Sequence, residues 1–172
     1  MSQNQIFLHT FTQLKQTYIN NYDNMRFFRH WQLEPTEDST IVASNDSSQQ
    51  ILKRYSGAQF QCVNCGNQWY SRIHSSILFQ YNERTRSIKW KIFGQQCRRC
   101  RQDFNSPIYQ PDSIAETMRY LIEKLAFKVR HVDFRPRDPD RPTILYNGNR
   151  HREDDLTCFC EACRLRKQYC ET

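Results

Sequence analysis

Glycine is scarce in this chain: four residues in 172. That leaves little material for a loop that cradles phosphates. No glycine-rich phosphate motif, no G-x-S-x-G elbow and no H-E-x-x-H pair occurs. Nowhere do 18 or more apolar residues run together, so no segment is expected to span a bilayer. The first residues lack the apolar run of a secretory signal. The expectation that follows is a reducing compartment, where cysteines bind metal rather than pair as disulfides.

Cysteine is what the chain has in excess, with eight residues. Six of them form three pairs: Cys62-Val-Asn-Cys65, Cys97-Arg-Arg-Cys100 and Cys160-Glu-Ala-Cys163. A two-residue spacing lets both thiolates of one tight turn face a single ion. Cys158, Cys170 and His151 flank the third pair. Together these donors are about what two tetrahedral zinc sites need.

The formal net charge is +7. Residues 1–50 hold three basic and five acidic side chains, which is −2, so residues 51–172 carry +9. A basic, metal-bearing segment points toward nucleic acid or an acidic partner. Arg98, Arg99 and Arg101 adjoin the second cysteine pair, and Arg164, Arg166 and Lys167 adjoin the third. These six are the candidate nucleic-acid contacts, with Tyr70 or Tyr169 available to stack on unpaired bases.

Local patterning sets the expected elements. Ile6, Phe7, Phe11, Leu14 and Tyr18 predict an amphipathic helix over residues 4–20. An aromatic stretch follows over residues 21–33, and the polar stretch 34–50 reads as a loop or linker. Trp69, Ile73, Ile77, Phe79 and Tyr81 share one parity, with Arg72, His74, Ser76 and Gln80 on the other. Ile88, Trp90 and Ile92 alternate with Lys89 and Lys91. Two strands joined by a turn at residues 82–86 are therefore predicted. Cys62 and Cys65 then precede the first strand, while Cys97 and Cys100 follow the second. Antiparallel pairing brings both pairs to the open end of the hairpin as one four-cysteine set.

Ile114, Met118, Leu121, Ile122, Leu125 and Val129 predict a second helix to about residue 130, with Ser113 and Glu116 as a capping box. Three prolines between 136 and 142 make a stiff connection to the cysteine-rich tail. The division expected is residues 1–50 as N-terminal helix and polar linker, and 51–172 as the metal-binding domain. The fold class is α+β: a zinc-ribbon-like antiparallel hairpin or sheet covered by a main helix, with a second zinc site in the C-terminal tail.

The first site is Cys62, Cys65, Cys97 and Cys100, a closed set with no position for a reacting water. The second takes Cys160, Cys163 and Cys170, with either His151 or Cys158 as the fourth ligand. Cross-bracing, in which tail cysteines share an ion with one hairpin pair, is the alternative arrangement. His151-Arg152-Glu153 matches half of a zinc-deaminase signature. The pair that follows seven residues later is preceded by Phe159 rather than proline, so no enzyme is expected.

The order Phe60-Gln-Cys-Val-Asn-Cys65, Trp69, Phe93-Gly-Gln-Gln-Cys-Arg-Arg-Cys100, Met118-Arg119 and Cys160-Glu-Ala-Cys163 resembles the three-CxxC zinc-finger family, and within it the receptor-transporting proteins. Zygote arrest proteins share the domain type. The resemblance implies a non-enzymatic adaptor that helps membrane receptors reach the cell surface. It also implies an RNA-binding alternative, since some members bind RNA. It carries the metal-ligand role to Cys62, Cys65, Cys97, Cys100, Cys160 and Cys163. The family's histidine five residues before the third pair has Asp155 in its place here. Many receptor-transporting proteins end in a membrane anchor. This chain shows no such span, so the expected location is cytoplasmic, with membranes reached through partners.

Overall fold

The computed structural model describes residues 2–37, 49–71, 76–134 and residue 161. The chain opens with helix α1 (Gln3–Asn21). A capping box starts it: Ser2 Oγ accepts from the Gln5 N–H, and Gln5 Oε1 accepts from the Ser2 N–H. A 3-10 helix (Asp23–His30) follows, then strand β1 (Gln32–Pro35). The remaining elements are β2 (Gln49–Tyr55), β3 (Ala58–Gln61), β4 (Gln68–Ser71), β5 (Ser76–Asn82), β6 (Ser87–Ile92), β7 (Gln95–Gln96), β8 (Phe104–Asn105) and helix α2 (Pro111–Arg130).

The strands form three sheets. The largest has the order β1-β6-β5-β2, and β3-β4 and β7-β8 are two-stranded. The β5–β6 hairpin is the predicted one, with Phe79 opposite Trp90 and Tyr81 opposite Ile88. The strand expected to run from Trp69 to Tyr81 is in fact two. β4 pairs with β3, whereas β5 pairs with β2 and β6, so the chain changes sheet between residues 71 and 76. A uniform alternation of side chains does not reveal such an exchange of backbone partners.

The polar stretch 34–50 also holds strand at both ends. β1 runs parallel to β6, with Leu33 opposite Ile88, and β2 starts at Gln49. Both are edge strands. Pro35 fits β1 because an edge has no second neighbour that needs its missing N–H. Lys53 and Arg54 on β2 suit an exposed edge that must resist further pairing.

One face of the four-stranded sheet presents Leu33, Leu52, Ile77, Phe79, Tyr81, Ile88 and Trp90 to a single core with both helices. Residues 3–33 dock on that core. Phe7 of α1 lies 4.7 Å from the Trp90 ring, centroid to centroid, and Phe28 stacks on Trp31 at 5.5 Å. Tyr18 donates from its hydroxyl to Glu123 Oε1 (2.5 Å) and so ties α1 to α2. Met118, Leu121, Ile122 and Leu125 are fully buried on α2. The other parity of β5 is buried too: Ser76 is 1% exposed, Leu78 0% and Gln80 8%. β5 is an interior strand, and its polar parity does not face water.

Helix α2 begins earlier than the expected cap. Its N-cap is Gln110, with no side-chain cap bond and Pro111 in the first turn. Proline's fixed φ and missing N–H suit that position, so Ser113 and Glu116 already lie inside the helix. At the other end His131 adopts the left-handed conformation (φ 55°) as C-cap.

Candidate metal centre

Each of the two cysteine pairs among the described residues sits at the tip of its own short hairpin rather than outside a shared one. The first joins β3 to β4. There the Cys62 N–H donates to Asn67 O (2.8 Å), and the Gly66 N–H donates back to Cys62 O (3.0 Å). Gly66 takes the left-handed conformation this closure needs, with φ 68°. The second joins β7 to β8. Here the Arg101 N–H donates to Cys97 O (2.8 Å), and Arg101 has φ 53°. Two copies of one turn thus face each other. The β5–β6 hairpin between them in sequence returns the chain to its starting end, so the tips meet as expected.

The sulfurs of Cys62, Cys65, Cys97 and Cys100 all lie within 4.8 Å of one another. The close approaches run between the knuckles: Cys62 Sγ to Cys100 Sγ is 3.3 Å and Cys65 Sγ to Cys97 Sγ is 3.7 Å. A regular tetrathiolate zinc centre with Zn–S near 2.3 Å has sulfur–sulfur edges of about 3.8 Å. The four thiols are free, and their spacing matches such a centre rather than disulfides. Zinc fits this donor set in number, type and spacing.

The thiols divide by protonation. Burial pushes Cys97 up, but the N–H groups of Cys100 and Arg99 outweigh it and bring the thiol down to about 6. Cys62 is lowered in the same way, with burial outweighed by the Cys65 N–H and the Cys100 thiol. The Gln102 N–H favours the Cys100 thiolate, yet donation of its S–H to Cys62 and other neighbouring sulfurs raises it to about 11. The Asn67 N–H likewise favours the Cys65 thiolate, and burial and its sulfur neighbours outweigh that and raise it. Each knuckle therefore pairs one thiol lowered from its ordinary value with one raised above it.

Hydrogen bonds behind the sulfurs tie the tips together. Asn67 Nδ2 lies 3.6 Å from Cys97 Sγ, and the Arg99 N–H points at the same sulfur (3.4 Å). Asn105, on β8, accepts the Val63 N–H at its Oδ1 (2.9 Å) and donates from Nδ2 to Gln95 O (3.3 Å). Gln95 in turn accepts from Trp69 Nε1 (3.1 Å) and donates to Ser71 Oγ (2.9 Å). Trp69 stacks on Phe60 with the rings 5.3 Å apart and 7° from parallel. Sequence reasoning missed Asn67, Gln95 and Asn105 as supports. Asn67 carried a signal, as a turn residue directly after Cys-x-x-Cys-Gly. Asn105 carried none.

Arg98, Arg99 and Arg101 are exposed on the second knuckle, and Tyr70 is exposed on β4. His151, Cys158, Cys160, Cys163, Cys170, Arg164, Arg166, Lys167 and Tyr169 lie outside the described residues. Within the third motif Glu161 alone is described, and it bonds to Gly94.

A family model described as a zinc-binding domain, Zn_ribbon_3CxxC, matches residues 55–166. No curated protein and no solved structure matches the chain. Among the described residues, no helix is long and apolar enough to cross a membrane.

Proposed function

The chain belongs to the 3CxxC zinc-ribbon family of zinc-binding domains, and from that premise we propose that it is a non-catalytic binding module with structural zinc. The observation that carries this reading is the convergence of four sulfurs, from Cys62, Cys65, Cys97 and Cys100, within 4.8 Å of one another. Four thiolates fill a tetrahedral zinc, so no position is left for a water nucleophile or a substrate oxygen. What the ion supplies when bound is a rigid cross-link between two knuckles. The two knuckles and their asparagine and glutamine supports then form a fixed platform.

The partner class we favour is protein. In this reading the molecule is an adaptor that assists membrane receptors toward the cell surface, working in the cytoplasm and reaching membranes through those partners. Its support is the order of motifs from Phe60 to Cys163, which resembles the receptor-transporting proteins. Co-expression with a panel of seven-helix receptors, read by surface labelling and co-purification, tests it. Higher surface levels that fall away in Cys97→Ser support the adaptor role. No change and no co-purification across the panel reject it.

A second reading, binding of single-stranded RNA, draws on the exposed Arg98, Arg99 and Arg101 beside the metal site and on exposed Tyr70. Phosphate contacts would make affinity fall steeply with salt. A gel shift on unstructured RNA at two salt concentrations decides it, and salt-independent retention counts against this reading. Two zinc ions per chain remain the expectation. The second would be held by Cys160, Cys163 and Cys170 with His151 or Cys158, and a metal count on purified protein checks that number.

A further inference from the structure

Glu161 stands inside the third cysteine motif, directly after Cys160 and two residues before Cys163. It makes two hydrogen bonds to a single residue far away in sequence. Its N–H donates to Gly94 O (3.0 Å), and its Oε2 accepts the Gly94 N–H (2.7 Å). Gly94 immediately precedes β7 and lies three residues before Cys97.

The space at residue 94 is closed from both sides. A Cβ there would lie 2.9 Å from Asn105 O, 3.1 Å from Phe104 Cβ and 3.3 Å from Glu161 Oε2. The first two atoms belong to β8. A glycine lets β8 and Glu161 approach the same backbone unit, and any side chain would push one of them away. Gly94 is buried, and a buried N–H and C=O need partners.

The dock itself is fragile. β7 and β8 are two residues each and pair only with one another. A ladder that short does not persist on its own in water. What holds its ends is the knuckle of Cys97 and Cys100, facing Cys62 and Cys65, together with the bonds of Gln95 and Asn105 to Trp69, Ser71 and Val63.

We infer that Glu161 is a positioning residue that fastens the third cysteine motif to the ribbon beside Cys97, on a dock that exists only while metal holds the knuckles together. The inference rests on the ribbon reading of the four-cysteine site. It adds an order of events: the ribbon closes on metal first, and the tail motif is seated second.

The experiment is amide hydrogen exchange by NMR on the full chain, loaded with zinc, in wild type, Glu161→Ala and Glu161→Gln. In wild type the Gly94 amide is expected to exchange slowly. In Glu161→Ala it should exchange about tenfold faster or more, the scale of one lost hydrogen bond to a carboxylate. The Val63 amide, whose acceptor is Asn105, should not change. Glu161→Gln keeps an acceptor oxygen and should restore most of the protection, which a merely bulky contact would not explain. Chelating the metal from wild type should release Gly94 without any substitution. Unchanged Gly94 protection in Glu161→Ala, or protection that survives chelation, overturns the inference. The ribbon reading fails separately: Cys97→Ser that keeps the wild-type zinc content would sink it whatever Gly94 does.

Discussion

The two knuckles share one turn but not one environment. In both, the first cysteine is buried, the second is more accessible, and the residue after the pair is left-handed with its N–H returned to the first cysteine's carbonyl. The first knuckle puts glycine in the left-handed position and stands on two four-residue strands braced by the Phe60–Trp69 stack. The second puts Arg101 there and stands on two strands of two residues. An L-residue in that conformation costs about 1–2 kcal/mol. The second knuckle bears that cost with the smaller ladder, so its geometry depends more on the shared metal and on Asn105. Equal turns present four sulfurs suited to one common ion, while unequal supports divide the stability.

The largest effect expected is from metal removal. A structural zinc contributes an apparent 10–16 kcal/mol or so near neutral pH in small zinc domains. Chelation, or Cys97→Ser, should abolish binding at this site, as read by native mass spectrometry. Hydrogen exchange should then show the amides of residues 95–105 opening before those of 58–71. Simultaneous opening of both knuckles would break the contrast drawn above.

Next in size is Asn105→Ala. It strands the Val63 N–H, at a half-buried bond, and takes a donor from the buried Gln95 O. A cost of about 1–3 kcal/mol is expected in urea unfolding of the zinc-loaded protein. Asn105→Asp retains an acceptor for Val63 and should cost less. A neutral Asn105→Ala would mean that the metal alone joins the tips.

Smaller still is the exchange of left-handed residues. A Cβ at Gly66 meets nothing within 4 Å, so Gly66→Ala tests backbone strain alone, at about 1 kcal/mol. Arg101→Gly removes strain but adds freedom to the unfolded chain, and should lie between neutral and a gain of about 1 kcal/mol. Thermal unfolding with zinc bound separates them. Equal losses at both positions would contradict the reading of Arg101 as strained.

The pH response has two readouts, a stability term and a proton count. Cys97, lowered from 9.0 to about 6, stays a thiolate above that pH, and its favourable term is lost as pH falls through about 6. Cys100, raised to about 11, keeps its proton up to that value, and Cys65 is raised as well. Zinc binding between pH 7 and 8 should therefore release at most three protons, since Cys97 has none to give there, and one more once pH falls below the Cys97 value. Calorimetry in buffers of different ionisation enthalpy reads this directly. Release of four protons at pH 8 would mean the thiols do not divide as described.

Much of the site was legible because its signals are short in range. Cys62, Cys65, Cys97 and Cys100 announce themselves by spacing, and the β5–β6 hairpin by its alternation and turn. Arg98 and Arg99 could be placed beside the ion from adjacency alone. The capping residues were less legible. Ser113 and Glu116 have the right spacing for a box, but Pro111 starts the helix earlier, and the box forms at Ser2 and Gln5 instead. Asn105 looks like any other loop asparagine until β8 brings it beneath Val63.

By itself the sequence determined the four-cysteine cluster of Cys62, Cys65, Cys97 and Cys100, both long helices and the central hairpin. Each of these depends on residues within one or two turns of the chain, through thiol spacing, a 3.6-residue apolar stripe or a two-residue alternation. Only the tertiary structure decided that β4 and β5 belong to different sheets, that β1 lies parallel to β6, and that Glu161 closes on Gly94. Those outcomes depend on which distant backbone N–H and C=O groups find each other. Every residue carries the same two groups, so the pairing is chosen by how the whole chain buries its core and closes around the ion.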